Sequence, residues 1–118
     1  LAEMSRMTVA CGGQALTCMG LAGAGDMVAT CMSRHSRNRR FGQDFVALGK
    51  SLDDFEREFH MVVEGALACK TLACLADRTG VELPLTDTVR SIVWEGADAR
   101  EAAKALAYRP LKSEFYGI

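Results

Sequence analysis

The sequence has almost no net charge, no long apolar run and no paired-cysteine motif. Its 118 residues carry 14 basic and 15 acidic side chains, for a formal net charge of −1. A nucleic-acid-binding domain is normally strongly basic, so this balance argues against a nucleic-acid partner. No apolar run reaches the roughly 18 residues that a membrane-spanning helix needs, and the sequence shows no signal peptide. We therefore predict neither nucleic-acid binding nor membrane insertion.

Five cysteines are present, but none of them lies in a C-x-x-C pair. Neither Cys11 with Cys18 nor Cys69 with Cys74 has the spacing of metal ligands. On a helix, neither pair would meet the geometry of a disulfide. We interpret the cysteines as small apolar side chains of a cytoplasmic protein in a reducing compartment, and we predict no metal site.

Strand patterns are also lacking, because no window alternates apolar and polar residues for long enough to build a sheet. Most segments instead show helical periodicity, with recognisable caps and stops. The predicted N-caps are Ser36, Ser51, Thr86 and Asp98, and the predicted helix ends are Gly80, Gly96 and the residue before Pro110. Only the GVELP segment around Val81 reads as extended, as a connection between helices. The predicted fold is an all-α, multi-helix bundle.

The segment GLAGAGDMVATC, residues 20–31, places three glycines within six positions, just ahead of one acid. It is not a dinucleotide fingerprint, because G-x-G-x-x-G beginning at Gly23 would require glycine where Val28 stands. We predict a loop-to-helix transition with Asp26 at or near the N-cap. Capping alone does not need these glycines, which indicate a backbone packed closely against another domain or a ligand. Thr30 follows one turn later, so a carboxylate and a hydroxyl share one face.

The next segment, SRHSRNRRFG, carries four arginines and no acidic residue. If Ser36 caps a helix, free backbone N–H groups and the guanidinium of Arg37 converge on one anion. Asn38 can donate an amide N–H to the same ligand. A compact positive cluster on a neutral protein suits a small anionic ligand such as a phosphate. The alternative is a solvated, arginine-rich surface.

These two segments occur together with VVEG at residues 62–65 and with GVELPLTDTV. In this order and spacing, nearly the whole chain resembles the C-terminal domain of bacterial NAD(P)-dependent glycerol-3-phosphate dehydrogenases. The resemblance implies that residues 1–118 form a helical substrate-binding domain, similar to that of 6-phosphogluconate-dehydrogenase-like enzymes, with a Rossmann domain upstream. It implies a cytoplasmic homodimer that interconverts dihydroxyacetone phosphate and sn-glycerol 3-phosphate for phospholipid synthesis.

The resemblance also implies roles for individual residues near the substrate. Asp26 corresponds to a catalytic-support carboxylate that also contacts the substrate, and Thr30 to its hydrogen-bonding companion. Ser36, Arg37 and Asn38 correspond to the substrate-binding run. The family's acid/base lysine would lie upstream of the chain, so residues 1–118 alone are expected to be inactive.

Cofactor contacts follow from the same resemblance. Arg37, Val62 and Glu64 correspond to residues that touch NAD or NADP, which is otherwise bound by the upstream Rossmann domain. The choice between NADH and NADPH would also lie in that upstream part. His60 stands where the family usually has glycine, which puts the approach of the backbone there in question.

Two other functions compete with this interpretation. The chain could be a self-standing helical interaction module whose arginine cluster docks on an acidic partner surface. An RNA- or DNA-binding role is disfavoured, because no aromatic residues are interleaved with the arginines and the overall charge is not basic. An upstream reading frame that encodes a strand followed by G-x-G-x-x-G would identify the dehydrogenase.

Overall fold

The computed structural model describes residues 1–117, which form eight α-helices and one π-helical turn, with no β-strand in this range. The α-helices are α1 (Ala2–Ala10), α2 (Ala15–Met19), α3 (Asp26–Met32), α4 (Arg37–Leu48), α5 (Leu52–Phe59), α6 (Glu64–Thr79), α7 (Pro84–Glu95) and α8 (Ala99–Ala107). The predicted all-α fold is confirmed. Among the described helices, none combines the length and apolarity needed to cross a membrane.

Most of the predicted helix ends are also confirmed. The side chains of Ser36, Ser51 and Asp98 accept hydrogen bonds from backbone N–H groups in the first turns of α4, α5 and α8. Gly80 and Gly96 end α6 and α7 in the left-handed conformation, with φ of +70° and +75°. A residue without Cβ adopts this conformation at little cost, which explains why glycine stops both helices.

The predicted start of α7 is wrong. This helix begins at Pro84, two residues before Thr86, because proline fits the first helical position. The free N–H groups of Leu85 and Thr86 donate to the carboxylate of Glu3 in α1, which also accepts from the Thr86 hydroxyl. The capping carboxylate thus comes from the far end of the chain, where local sequence patterns cannot indicate it.

Two small hydrophobic cores hold the helices together, and the long helix α6 contributes to both. The first core contains Phe41, Phe55, Val63 and Ala66, and the second contains Met7, Ala76 and Leu83. In the first core, the rings of Phe41 and Phe55 pack edge to face with centroids 5.5 Å apart. The aromatic stripe of α4 therefore faces α5, and the N-terminus of α6 is held beside α4.

The helix α3 takes no part in either core. Every one of its residues except Met27 is exposed, and the exposed fractions of Val28 and Met32 reach 57% and 76%. Leu21, in the turn that precedes α3, is 89% exposed. An apolar helix with so little cover is unusual in a soluble protein, because exposed apolar patches of this kind normally mark an interaction surface.

The cysteine prediction holds in part. Cys18 and Cys69 are buried and act as small apolar side chains, whereas Cys11, Cys31 and Cys74 are exposed. These three therefore do not act as packing side chains of the core. All five are free thiols.

The C-terminal segment after α8 folds back onto the loop between α6 and α7. Lys112 Nζ and the Tyr116 hydroxyl donate to the carboxylate of Glu82, at 2.7 Å and 2.9 Å. The Arg6 guanidinium lies over the Tyr116 ring, 4.4 Å from its centroid. The hydrogen bond from Lys112 lowers the pKa of Glu82 below its ordinary value, and the hydrogen bond from Tyr116 lowers it further. The hydrogen bond to Glu82 in turn raises the pKa of Lys112.

Candidate functional site

The glycine-rich segment forms a π-helical turn, Leu21–Gly25, that continues directly into α3. The predicted loop is therefore wrong, because Gly25 already has helical dihedrals, whereas Asp26 lies near the N-cap of α3, as predicted. The close packing that the glycines indicate is internal. A Cβ on Gly23 would lie 2.2 Å from the carbonyl oxygen of Cys18, so glycine lets α2 pack backbone to backbone against the turn.

Asp26 lies exposed at the start of α3. Within residues 1–117, its carboxylate forms no hydrogen bond and no ion pair, and none joins it to Thr30 one turn further on. The Asp26 side chain thus has no structural partner among the described residues. Its role at the substrate stays a prediction.

The N-termini of α4 and α6 meet side by side. Arg37 Nη2 lies 3.0 Å from Glu64 Oε1, and the backbone N–H of Gly65 donates to Asn38 Oδ1 at 3.0 Å. Val63 occupies the N-cap of α6 and has no polar side chain, so Asn38 caps α6 from another helix. The SRNRRFG and VVEG motifs, which are 27 positions apart, are thereby brought together.

Arg39 and Arg40 point elsewhere. The guanidinium of Arg40 lies over the Phe59 ring, 3.9 Å from its centroid. Arg39 donates to the carbonyl of Met32 at the end of α3, at 3.5 Å. Neither forms an ion pair within the described range. Arg37, in contrast, lies at the junction of the two helix N-termini.

The segment between α5 and α6 completes this junction. His60 ends α5 with φ +49° and ψ +40°, and it is the only non-glycine residue with positive φ among those described. The side chain of Val63 is buried, whereas that of Val62 is exposed. His60 thus adopts the conformation that glycine adopts without strain, so the backbone path is kept at a conformational cost. Val62 thus presents an exposed apolar side chain two residues before Glu64.

The structure therefore brings Arg37 and Asn38 of α4 together with Glu64 and Gly65 of α6. Within residues 1–117, no hydrogen bond or ion pair joins the Asp26 side chain to them. Gly65 is a site residue that sequence reasoning missed, and its only signal is its place in the VVEG motif. Within residues 1–117, no group of three or more histidine, cysteine, aspartate or glutamate side chains is arranged to hold a metal ion.

Comparisons with known proteins agree with this fold. The sequence model described as NAD-dependent glycerol-3-phosphate dehydrogenase C-terminus matches residues 1–104. The chain is 45% identical over 116 residues to glycerol-3-phosphate dehydrogenase [NAD(P)+] of Chlorobium limicola, covering 98% of this chain and 34% of the relative. It is 47% identical over 116 residues to the enzyme of the same name from Shewanella sediminis, covering 97% of this chain and 33% of the relative.

A solved structure gives the same result. The crystal structure of glycerol-3-phosphate dehydrogenase from Coxiella burnetii aligns with a TM-score of 0.83 and 36% sequence identity, over 91% of this chain and 33% of that chain. The fold is therefore that of a helical domain from a dinucleotide-dependent dehydrogenase. The chain belongs to the family of NAD-dependent glycerol-3-phosphate dehydrogenase C-terminal domains. It spans about a third of the length of the curated relatives it matches.

Proposed function

We propose that this chain is the substrate-binding part of an enzyme that interconverts dihydroxyacetone phosphate and sn-glycerol 3-phosphate with NAD(P)(H). One observation carries the proposal: the N-termini of α4 and α6 meet at Arg37 and Asn38. Helix N-termini favour anions, and a guanidinium offers N–H donors on more than one edge. Arg37 can therefore hold Glu64 with one edge and a phosphate with another.

The remaining assigned residues act at the same ligand. Ser36, at the N-cap of α4, and Asn38, in its first turn, flank Arg37, so hydroxyl, guanidinium and amide groups can hold one phosphate. Asp26 is assigned the catalytic-support role at the reacting end of the substrate. Holding the substrate in a fixed orientation is the contribution that binding residues of this kind make to the rate.

The residues around the N-terminus of α6 fit a bound dinucleotide. Arg37 offers N–H donors, Glu64 a carboxylate acceptor and Val62 an exposed apolar side chain. These are the contacts that phosphate oxygens, ribose hydroxyls and a ring system require. When bound, the dinucleotide supplies the hydride for reduction of the ketone.

The exposed apolar surface of α3 supports the proposal that the complete enzyme has a second domain. Val28 and Met32 lie on the helix that carries Asp26, and both remain open to solvent. A Rossmann domain packed on α3 would cover these side chains and exclude water from the reacting end of the substrate. We include a homodimeric state, a cytoplasmic location and a role in phospholipid synthesis in the proposal.

The test is steady-state kinetics of the full-length protein that contains this chain, followed by the absorbance of NADH and of NADPH. Dihydroxyacetone phosphate should be reduced, and dihydroxyacetone, which lacks the phosphate, should be a poor substrate. Residues 1–118 alone should show no turnover. Equal rates with the two ketones would overturn the assigned phosphate site, and no reduction of either would overturn the proposed activity.

A further inference from the structure

We propose that Gly65 is a positioning residue that fixes the side-chain amide of Asn38 so that its NH₂ group faces the substrate phosphate. This inference rests on the proposed function. It starts from the hydrogen bond in which the Gly65 backbone N–H donates to Asn38 Oδ1 at 3.0 Å. Neither the family match nor the resemblance assigns Gly65 a role.

The chemistry of this bond determines which way the amide points. A backbone N–H can only donate, so the oxygen of Asn38, and not its NH₂ group, must face Gly65. This hydrogen bond therefore uses the oxygen of the amide and leaves its NH₂ group unused. Within residues 1–117 the NH₂ group donates to no protein acceptor, and Asn38 is exposed in the first turn of α4. The bond therefore leaves Asn38 with two N–H donors for an anion, and neither is used by an acceptor within residues 1–117.

A side chain at position 65 would crowd this contact, whereas the local backbone does not call for glycine. A Cβ on Gly65 would lie 3.0 Å from both Cγ and Oδ1 of Asn38, and 3.3 Å from Nδ2. Carbon atoms in ordinary contact are about 3.5–4.0 Å apart. The φ of Gly65 is not positive, so its backbone conformation does not need glycine. Alanine is the better helix former, so glycine here lowers helix stability while it makes room for Asn38.

A neighbouring contact joins the same two helices with the same separation in sequence. Arg37 pairs with Glu64, one position earlier on each helix, and both pairs span 27 positions of sequence. Two consecutive residues of α6 thus hold two consecutive residues of α4. This arrangement makes the first turn of α6 a support for the substrate-binding side chains.

The test is a comparison of Gly65→Ala with Gly42→Ala in the full-length enzyme. Gly42 also lies in a helix, but a Cβ there would have nothing within 4 Å. Because the Asn38 amide must shift by a few tenths of an ångström, we expect Gly65→Ala to raise the KM for dihydroxyacetone phosphate about three- to tenfold, with a smaller change in kcat. Gly42→Ala should leave both constants unchanged. An unchanged KM in Gly65→Ala would overturn the inference.

A second background separates positioning from a structural effect. With Asn38→Ala already present, the added methyl group has room, so Gly65→Ala should cause no further rise in KM. The same rise in both backgrounds would show that Gly65 acts on the helix and not through Asn38. If the wild-type enzyme does not reduce dihydroxyacetone phosphate at all, the proposed function fails and this inference fails with it. An active wild type with no effect at Gly65 overturns the inference alone.

Discussion

Arg37, the first residue of α4, forms an ion pair with Glu64, the first residue of α6, with 3.0 Å between Nη2 and Oε1. The side chains are 44% and 71% exposed. An ion pair this open to solvent contributes little to stability, typically about 0–1 kcal/mol. Its consequence is orientation, because Glu64 holds one edge of the guanidinium and leaves the other N–H donors for a ligand.

We expect Arg37 to be the dominant arginine for substrate binding. A hydrogen bond to a charged group contributes about 1.5–3 kcal/mol, so Arg37→Ala should raise the KM for dihydroxyacetone phosphate roughly ten- to a hundredfold. Arg37→Lys should also weaken binding, because an ammonium lacks the planar fork that bridges Glu64 and a phosphate. Steady-state kinetics of the full-length enzyme at fixed ionic strength measures both.

Arg40→Lys is the matched control for Arg37→Lys. Arg40 lies over the Phe59 ring, away from the junction of the two helices, so its KM should stay close to that of the wild type. Equal losses at the two positions would indicate diffuse electrostatic attraction. No loss of substrate binding in the Arg37 variants would indicate that the arginine cluster is a solvated surface.

Asp26→Asn should affect catalysis more than folding. The side chain is exposed and has no partner within residues 1–117, so the free energy of unfolding should change by less than about 1 kcal/mol. Turnover of the full-length enzyme should fall more than about tenfold, which corresponds to about 1.4 kcal/mol on the barrier. Asp77→Asn, at an exposed position of α6, should change neither quantity. A turnover within tenfold of the wild type would remove Asp26 from the catalytic site.

Gly23→Ala should destabilise the chain strongly. The added Cβ would lie 2.2 Å from the Cys18 carbonyl oxygen and 2.6 Å from the Cys18 Cα, and backbone atoms cannot move aside as a flexible side chain can. Overpacking of this kind typically costs about 1–3 kcal/mol, and we expect the upper end of that range. Urea unfolding of the purified chain, with Gly42→Ala as the unhindered control, measures the difference. Similar stabilities would mean that α2 and the turn can separate freely.

His60→Gly should stabilise the chain. A non-glycine residue in the left-handed region costs about 1–2 kcal/mol, of which the greater freedom of glycine in the unfolded state takes back part. We expect a net gain of about 0.5–1 kcal/mol in the free energy of unfolding. His35→Gly, where φ is not positive, should bring no gain. Thermal unfolding of both variants measures the difference. If neither variant is more stable than the wild type, His60 is not strained.

Acid should loosen the C-terminal segment through Glu82. The pKa of Glu82 is lowered from 4.5, first by the Lys112 hydrogen bond and then by that of Tyr116. A carboxylate with a lowered pKa stabilises the folded state above its ordinary pKa, and this contribution is lost as pH falls below about 4.5. Glu82→Gln should therefore show a shallower fall in melting temperature on acidification. Lys112→Gln should reproduce most of that change, and an unaltered pH profile in both would exclude the pair as its source.

Much of the fold could be predicted because helices carry local signals. Ser36 and Asp98 are caps whose partners lie within the next three residues, and Gly80 ends α6 at the residue where the apolar stripe stops. Patterns over a few residues suffice for such features, since the atoms that make the hydrogen bonds are neighbours in sequence. The family could be identified for a related reason, since its motifs are short segments in a given order.

Contacts between distant segments were decided by the tertiary structure alone. Glu3 caps a helix that begins more than eighty residues later, Asn38 caps α6, and Gly23 is needed because α2 packs against the turn. No local pattern determines such contacts, because each depends on how the helices are arranged in space. The sequence by itself therefore determined which segments are helices and which family they belong to. Only packing determined that α4 and α6 meet at their N-termini, where Arg37 pairs with Glu64 and Asn38 accepts from Gly65.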